Sequence, residues 1–463
     1  VAQEQAKFLT GNLFAHVSVM SLTGSIGLMA IFAVDFIDML FISMLGKSEL
    51  AAAVGYAGAV LFFTTSFSIG LAIAAGAMAA RSLGEGNPEE ARAQATSTLI
   101  YGVIFSAIFA ALVWVNLDRL VGLLGATGET AELAVHYLSI IVPSLPLLMI
   151  GMTGGALLRA HGDAQRAMWA TIFGGVVNAV LDPILIFGLG LDLTGAALAS
   201  VAARVVIAAT SLLPLLKHYG GFTRPTPGRL LRDLTPLLAI AVPATLTQLA
   251  TPVGQAYVTR SMAEFGEAAV AGMAVVGRLT PLSFAVIFAL SGAVGPIIGQ
   301  NFGAGDRARV RGAFNAALVF TGLYVAAAAV ILFLLRGQIA ALFQADGVTK
   351  DLIFLFCGPL ALMYFFNGML FVSNAAFNNL AHPFYSTWTN WGRHTLGTIP
   401  FVLLGAVWFG APGVLIGQAA GGLVFGLLSY ALALKVLRKA DGTAPHEPFQ
   451  PQKRLMQIFH NRR

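Results

Sequence analysis

Twelve apolar runs, each long enough to cross a lipid bilayer, dominate this sequence and leave little else for it to fold into. A spanning helix needs about 20 apolar residues at 1.5 Å rise each. Between charged or Gly/Pro-marked breaks, the first six runs cover roughly 17–45, 50–80, 94–117, 133–158, 165–188 and 193–217. The second six cover roughly 234–261, 269–299, 313–335, 352–380, 384–409 and 412–437. Only 10% of the 463 residues are charged and 57% are hydrophobic, whereas soluble proteins are about 25% charged. So few charges cannot surface a soluble enzyme, and so apolar a chain is not intrinsically disordered. The sequence predicts an all-α polytopic membrane protein.

The longest polar connection, 218–233, carries Arg224, Pro225, Pro227, Arg229 and Arg232 and reads as a linker. It separates a first lobe at 17–217 from a second at 234–438, with an N-terminal segment at 1–16 and a polar tail at 439–463. Loops after even-numbered spans, together with Lys7 and the tail, hold 19 of the Lys and Arg residues. Loops after odd-numbered spans hold five: Lys47, Arg119, Arg260, Arg336 and Lys350. This asymmetry predicts that both termini are cytoplasmic, and the chain is expected in the plasma (inner) membrane. It also accounts for the net charge of +6 without a nucleic-acid partner. The single cysteine, Cys357, sits in an apolar run and reads as buried filler. Nothing near Val1 reads as a cleavable signal peptide.

The two halves repeat each other. Gly84, Gly86 and Arg92 after span 2 match Gly303, Gly305 and Arg311 after span 8, at one offset of 219 residues. His161 matches His382 at 221, and Gly195 matches Gly413 at 218. Three matches in order point to a duplicated six-helix unit. Six spans is an even number, so the repeats run parallel, with a central cavity between them. That architecture suits alternating access; a channel or passive scaffold is the alternative. The Gly-x-Gly loops lack the setting of a nucleotide-binding loop and read as tight turns. No ATPase is encoded, so any pumping is secondary.

Several motifs are familiar. VDFIDMLFISMLGKSELAAAVG in span 1, ALLRAHGDAQRAM and NAVLDPILIFGLG around spans 4–5, and GQNFGAGDRARVR after span 8 resemble the multidrug and toxic compound extrusion (MATE) transporters. The resemblance covers essentially all twelve spans and is nearest to the prokaryotic branch with its cation site in the N-terminal lobe. It implies a secondary antiporter that expels cationic or amphipathic drugs against inward flow of Na⁺ or H⁺.

Three acids lie inside spans: Asp35, Asp38 and Asp182, all in the first half. A carboxylate at a helix centre costs about 2.5–3.5 kcal/mol on insertion scales, so such a cluster needs a cation or a proton to offset it. Asp35 and Asp38 are three residues apart, and Asn178 and Asp182 four, so each pair shares a helical face. Counted from the span ends, Asp38, Asp182 and Ser200 lie at nearly one depth in the outer half of the membrane. The resemblance carries a cation-coupling role onto Asp38, Asn178, Asp182 and Ser200, a set of hard oxygen ligands able to take Na⁺. Asp35 departs from the family pattern. Close carboxylates titrate as a pair, which tilts the coupling ion toward H⁺ while Na⁺ stays open.

Arg204, Arg278 and Arg393 are the basic residues within spans, read as snorkelling, carbonyl-bonded or substrate-facing. Pro183 follows Asp182 and should bend span 5 there. In the second half no acid falls inside a span, and Asn367 stands at the span-10 position where relatives carry one. Asn367, Asn374, Gln248 and Gln255 are candidates to line a substrate cavity, with Asn378 a similar case, or to bond between helices. The eight His form no metal-hydrolase cluster. The leading expectation is a monomeric efflux antiporter for organic cations or amphipathic drugs, coupled to H⁺ or Na⁺ and needing no cofactor. The alternatives are a flippase for lipid-linked substrates and a membrane-embedded lipid-modifying enzyme.

Overall fold

The computed structural model describes residues 6–440, and among these the secondary structure is entirely helical. The N-terminal stretch before Ala6 and the tail from 441 onward, including most of the segment read as 439–463, lie outside the described residues. Span 1 is Leu13–Met44, span 2 Ser48–Gly84 and span 3 Pro88–Val115. Span 4 (Gly128–Ala160) is broken by a 3₁₀ turn at Val142–Ser144, where Pro143 cannot donate to the helix. Span 5 (Ala164–Gly188) ends in a widened π turn, Ile184–Gly188, directly after Pro183. Span 6 is Asp192–His218.

The second half repeats the pattern with span 7 (Pro227–Ala263), span 8 (Glu267–Gly303), span 9 (Arg307–Leu342) and span 10 (Gly347–Asn379). A π turn beside Pro359 interrupts span 10, at Phe356–Leu360. Among the described residues, eleven helical segments are long and apolar enough to span a membrane, and the last, Phe384–Lys439, has 56 residues. At 1.5 Å per residue that is far more than one crossing of a core about 30 Å thick. Gly410, at φ +64°, folds it back on itself. Gly405 then lies on Gly413, Gly417 on Phe401 and Gly421 on Gly397, so close that a methyl group on Gly405, Gly413, Gly417 or Gly421 would overlap the facing backbone. Spans 11 (384–409) and 12 (411–440) thus form a hairpin sealed by small residues. The twelve spans expected from the sequence are all present.

The helix ends differ from the apolar runs. The stretch read as a linker is shortened to the residues before Pro227, because Pro227 opens span 7 as its first helical residue and the charged turns after it are paired. Glu90 accepts from Arg229 and, at 2.6 Å, from Arg232, and the Ser97 hydroxyl donates to Asp233 at 2.7 Å. Spans 3, 5 and 9 begin alike. The side chains of Asn87, Asp163 and Asp306 accept the backbone N–H three residues on, capping the helix. The residue before each is a left-handed glycine, Gly86, Gly162 or Gly305, so the Gly-x-Gly loops are helix-to-helix corners.

Helix contacts come in matched sets. Span 1 packs on span 8 and span 2 on span 7, while spans 2·4, 4·6 and 1·5 correspond to 8·10, 10·12 and 7·11. This is the packing of two parallel six-helix repeats. The repeats meet most tightly on the face that carries Lys7 and the basic loops. There spans 2 and 8 cross at Gly84 and Gly303, each backbone-to-backbone against the other helix at Gln300 and Arg81. The Lys7–Leu9 turn straps the crossing: Lys7 donates to the Gly162 carbonyl at 2.9 Å, and the Phe8 N–H donates to Gln300 Oε1 at 2.9 Å. Gln300 in turn donates to the Ala160 carbonyl at 2.7 Å.

Candidate functional site

Span 5 supplies the centre of the site. Asp182 is fully buried and Asn178, one turn earlier, is 4% exposed. Both sit in the last regular turns before Pro183, whose missing N–H opens the helix into the π turn. The Asn178 amide donates to Asp182 Oδ2 at 2.9 Å and to Asp38 Oδ1 of span 1 at 3.1 Å. The two carboxyls face each other within hydrogen-bonding reach. Asp182 Oδ1 is buried with no partner. Among the described residues, none of the three span acids makes an ion pair with Lys or Arg. Two carboxyls buried together with no Lys or Arg paired to them are costly to hold as two charges.

Span 4 adds a residue that the sequence reading passes over. Tyr137 is 7% exposed, its hydroxyl lies near Ser200 of span 6, and it is close to Asp38 and Asp182. Counting residues from the span end, the reasoning that singles out Ser200, also reaches Tyr137, nine residues after Gly128. Arg204 donates to the Ile141 carbonyl at 3.1 Å and to the Ser144 hydroxyl at 2.8 Å, so it bonds to span 4 and leaves the acids alone. Asp35, one turn before Asp38, is exposed and bonds to neither Asn178 nor Asp182, though it is close enough for its charge to act on Asp38. The carboxylate pair is Asp38 with Asp182, from different helices. Asp35 with Asp38, neighbours in sequence, do not form it.

In the second repeat the amides divide. Asn374 accepts from Asn390 at 3.1 Å and Asn378 from Ser386 at 3.2 Å, both ties between spans 10 and 11. Gln255 accepts from Gln418 of span 12 at 2.8 Å, and Gln418 stands 218 residues after Ser200. Gln248 is half-buried on span 7. Asn367 Oδ1 is buried and unpartnered.

A family model, MatE, matches residues 25–184 and again 243–401, the second match starting 218 residues after the first. The chain belongs to the MatE family. Members are transporters, so the lipid-modifying enzyme is set aside and the protein is a multi-pass membrane transporter. A protein of Shewanella oneidensis named FAD transporter is 28% identical over 430 residues, covering 92% of this chain and 95% of its own. The multidrug export protein MepA of Staphylococcus saprophyticus is 25% identical over 337 residues, 72% of this chain and 73% of its own. Among solved structures, a mutant of the Vibrio cholerae MATE transporter VcmN is 24% identical with a TM-score of 0.88, covering 92% of this chain and 97% of its own. An outward-facing MATE family multidrug resistance transporter also gives 0.88 at 23% identity, covering 95% and 99%. These likenesses show that the chain shares their fold.

Proposed function

We propose that this MatE transporter is a secondary antiporter of the plasma membrane, acting as a monomer, that exports amphipathic organic molecules in exchange for a cation bound at Asp38, Asn178 and Asp182. One observation carries the reading: two carboxyls from separate helices share the Asn178 amide, and the buried Asp182 Oδ1 has no partner. Emptying that site leaves uncompensated charge in a dry bundle, and filling it lets spans 1 and 5 close together. Ser200 reaches the cluster through Tyr137.

The arrangement favours H⁺ over Na⁺. Both contacts of Asn178 use its N–H₂ group, so its oxygen points away from the carboxylates. A Na⁺ ion needs oxygen ligands and would require that amide to turn, whereas a proton shared between Asp38 and Asp182 needs no rearrangement. The basic face is taken as cytoplasmic on the strength of its charge. Its closure at Gly84 and Gly303, with the likeness to an outward-facing relative, supports an outward-facing state.

Drug export follows the names of the MepA relatives, and organic cations or amphipathic drugs are the substrates that reading gives. A second substrate reading, a flavin dinucleotide, is favoured by the FAD transporter relative, which aligns along nearly the whole chain. A flippase for lipid-linked substrates gains nothing from the acid pair. Efflux from proteoliposomes, with pH and Na⁺ gradients imposed separately, tests the proposal. A pH gradient should drive substrate movement and a Na⁺ gradient alone should not; movement unaffected by either gradient would overturn antiport.

A further inference from the structure

The second repeat holds a buried positive charge for which the fold supplies no counter-charge. Arg393 lies nine residues into span 11, about 14 Å along the helix and so near mid-membrane. The residue is half-buried and its Nε is fully buried without a partner. Its Nη1 has a long contact to His394 Nε2, at 3.4 Å. Beside it Asn367 Oδ1 is also buried and unpartnered. The two groups flank Gly422 of span 12: a side-chain carbon there would lie 3.6 Å from Asn367 Oδ1 and 3.7 Å from Arg393 Nε. Gly422 therefore keeps side-chain atoms out of the gap between these donor and acceptor groups.

The first repeat gives the contrast. Arg204 stands 218 residues before Gly422, the offset of the duplication. Its guanidinium is tied to a carbonyl and a hydroxyl of span 4. At the matching level of the second repeat the cation comes from span 11 instead, and its carbonyl and hydroxyl acceptors are missing. The acids of spans 7, 8 and 10, Asp233, Glu267 and Asp351, all lie in the end turns, and none is ion-paired with Arg393 among the described residues. A guanidinium has five N–H donors in a rigid fork that matches a phosphate or carboxylate, and leaving it unmatched in the membrane is costly. Tyr364 faces Arg393 and stacks on Phe284 with ring centroids 4.0 Å apart, an aromatic wall beside the charge.

We propose that Arg393, with Asn367 and His394 beside it, receives an anionic group of the transported molecule, a phosphate or carboxylate carried on an aromatic body. This inference rests on the transport reading above and names its substrate class. The acid pair of the first repeat binds the coupling cation and Arg393 holds the substrate's anion, so the two repeats divide the charges between them.

Binding, measured without any ion gradient, separates this inference from the antiport reading. The protein is placed in phosphatidylcholine nanodiscs and titrated with FAD, FMN and riboflavin, which share one ring system and differ in phosphate. FAD and FMN should bind at least about tenfold more tightly than riboflavin, as charge-assisted bidentate contacts require. Arg393→Gln should remove that preference while leaving riboflavin binding unchanged, which also reports that the variant is folded, and Arg393→Lys should restore part of it. Asp38→Asn should keep the preference for FAD and FMN over riboflavin, since Arg393 is intact, yet fail to export FAD. Equal binding of all three flavins, no binding of either nucleotide, or an unaltered preference in Arg393→Gln would overturn the inference. Adding phosphatidylglycerol should leave FAD affinity unchanged; competition by it would assign the anion site to a lipid headgroup and overturn the substrate role.

Discussion

Asn178 is the residue on which the candidate site turns, because its one amide group joins carboxyls from two helices. Asn178→Ala removes both bonds and leaves two acids facing each other without a donor. Its ion-driven efflux should fall at least about tenfold, as should that of Asp182→Asn, because charge-assisted hydrogen bonds in a dry site are strong. Asp35→Asn should retain most of the activity, since Asp35 bonds to neither partner. Flux in proteoliposomes at matched protein content checks all three. Counting residues from the span ends was enough to bring Asp38 and Asp182 to one level, because helical rise is fixed. The same counting could not choose between Asp35 and Asp182 as the partner of Asp38. Residues three apart on a helix are close in sequence, but their side chains can diverge toward different neighbours. Tyr137 went unread because a tyrosine in an apolar run carries no charge to flag it.

At the scale of the helix, the corners decide where spans begin. Asp163 caps span 5, accepting from the Arg166 N–H at 3.1 Å and from its guanidinium at 2.5 Å, while the Tyr219 hydroxyl donates to it at 2.8 Å. Burial alone would push this carboxyl up, but the bonds from Tyr219 and Arg166 together outweigh it and hold it below the usual carboxylate range. Burial and the same bond push the Tyr219 hydroxyl up to about 12. A depressed carboxyl contributes its stability in full above the unfolded-state value, about 3.9, and loses it as pH falls through the folded value. Asp163→Asn should therefore lower thermal stability in detergent at pH 7, by about 1 kcal/mol. That difference should shrink below pH 4. The hairpin of spans 11 and 12 makes a separate demand: Gly421→Leu would drive a side chain into the Gly397 backbone. The yield of folded, monodisperse protein should collapse, while a leucine at the exposed Val424 position leaves it unchanged. Apolar runs revealed that these helices exist but set their ends too short. Spans 2 and 7 run on into polar turns whose charges are paired, Arg81 with Glu85 nearby and Arg229 and Arg232 with Glu90 of span 3, a saving that local hydrophobicity does not register.

Over the whole molecule, the duplication was legible from a handful of glycines, arginines and histidines at one offset, because corners and crossings tolerate few substitutes. What sequence could not give was the state of the molecule. The seal at the basic face depends on Gly84 and Gly303 allowing spans 2 and 8 to touch backbone to backbone. Gly84→Val should block that contact and shift the population toward opening on this face. Spin labels at Glu85→Cys and Ala304→Cys, both exposed positions, with the buried Cys357 replaced by Ala, should report a longer distance in the valine variant. An unchanged distance distribution would show that the crossing does not control closure.

The central claim is that one proton is held between Asp38 and Asp182 and is given up when substrate binds, as reciprocal linkage requires. Proton release can be read directly with a pH indicator in weakly buffered solution, on adding whichever of ethidium or FAD the flux measurement finds to be carried. Wild-type protein should release up to about one proton per molecule, and Asp38→Asn, loaded to the same extent, should release none. Equal release from both, or saturating binding to wild type with no proton released, would contradict the account.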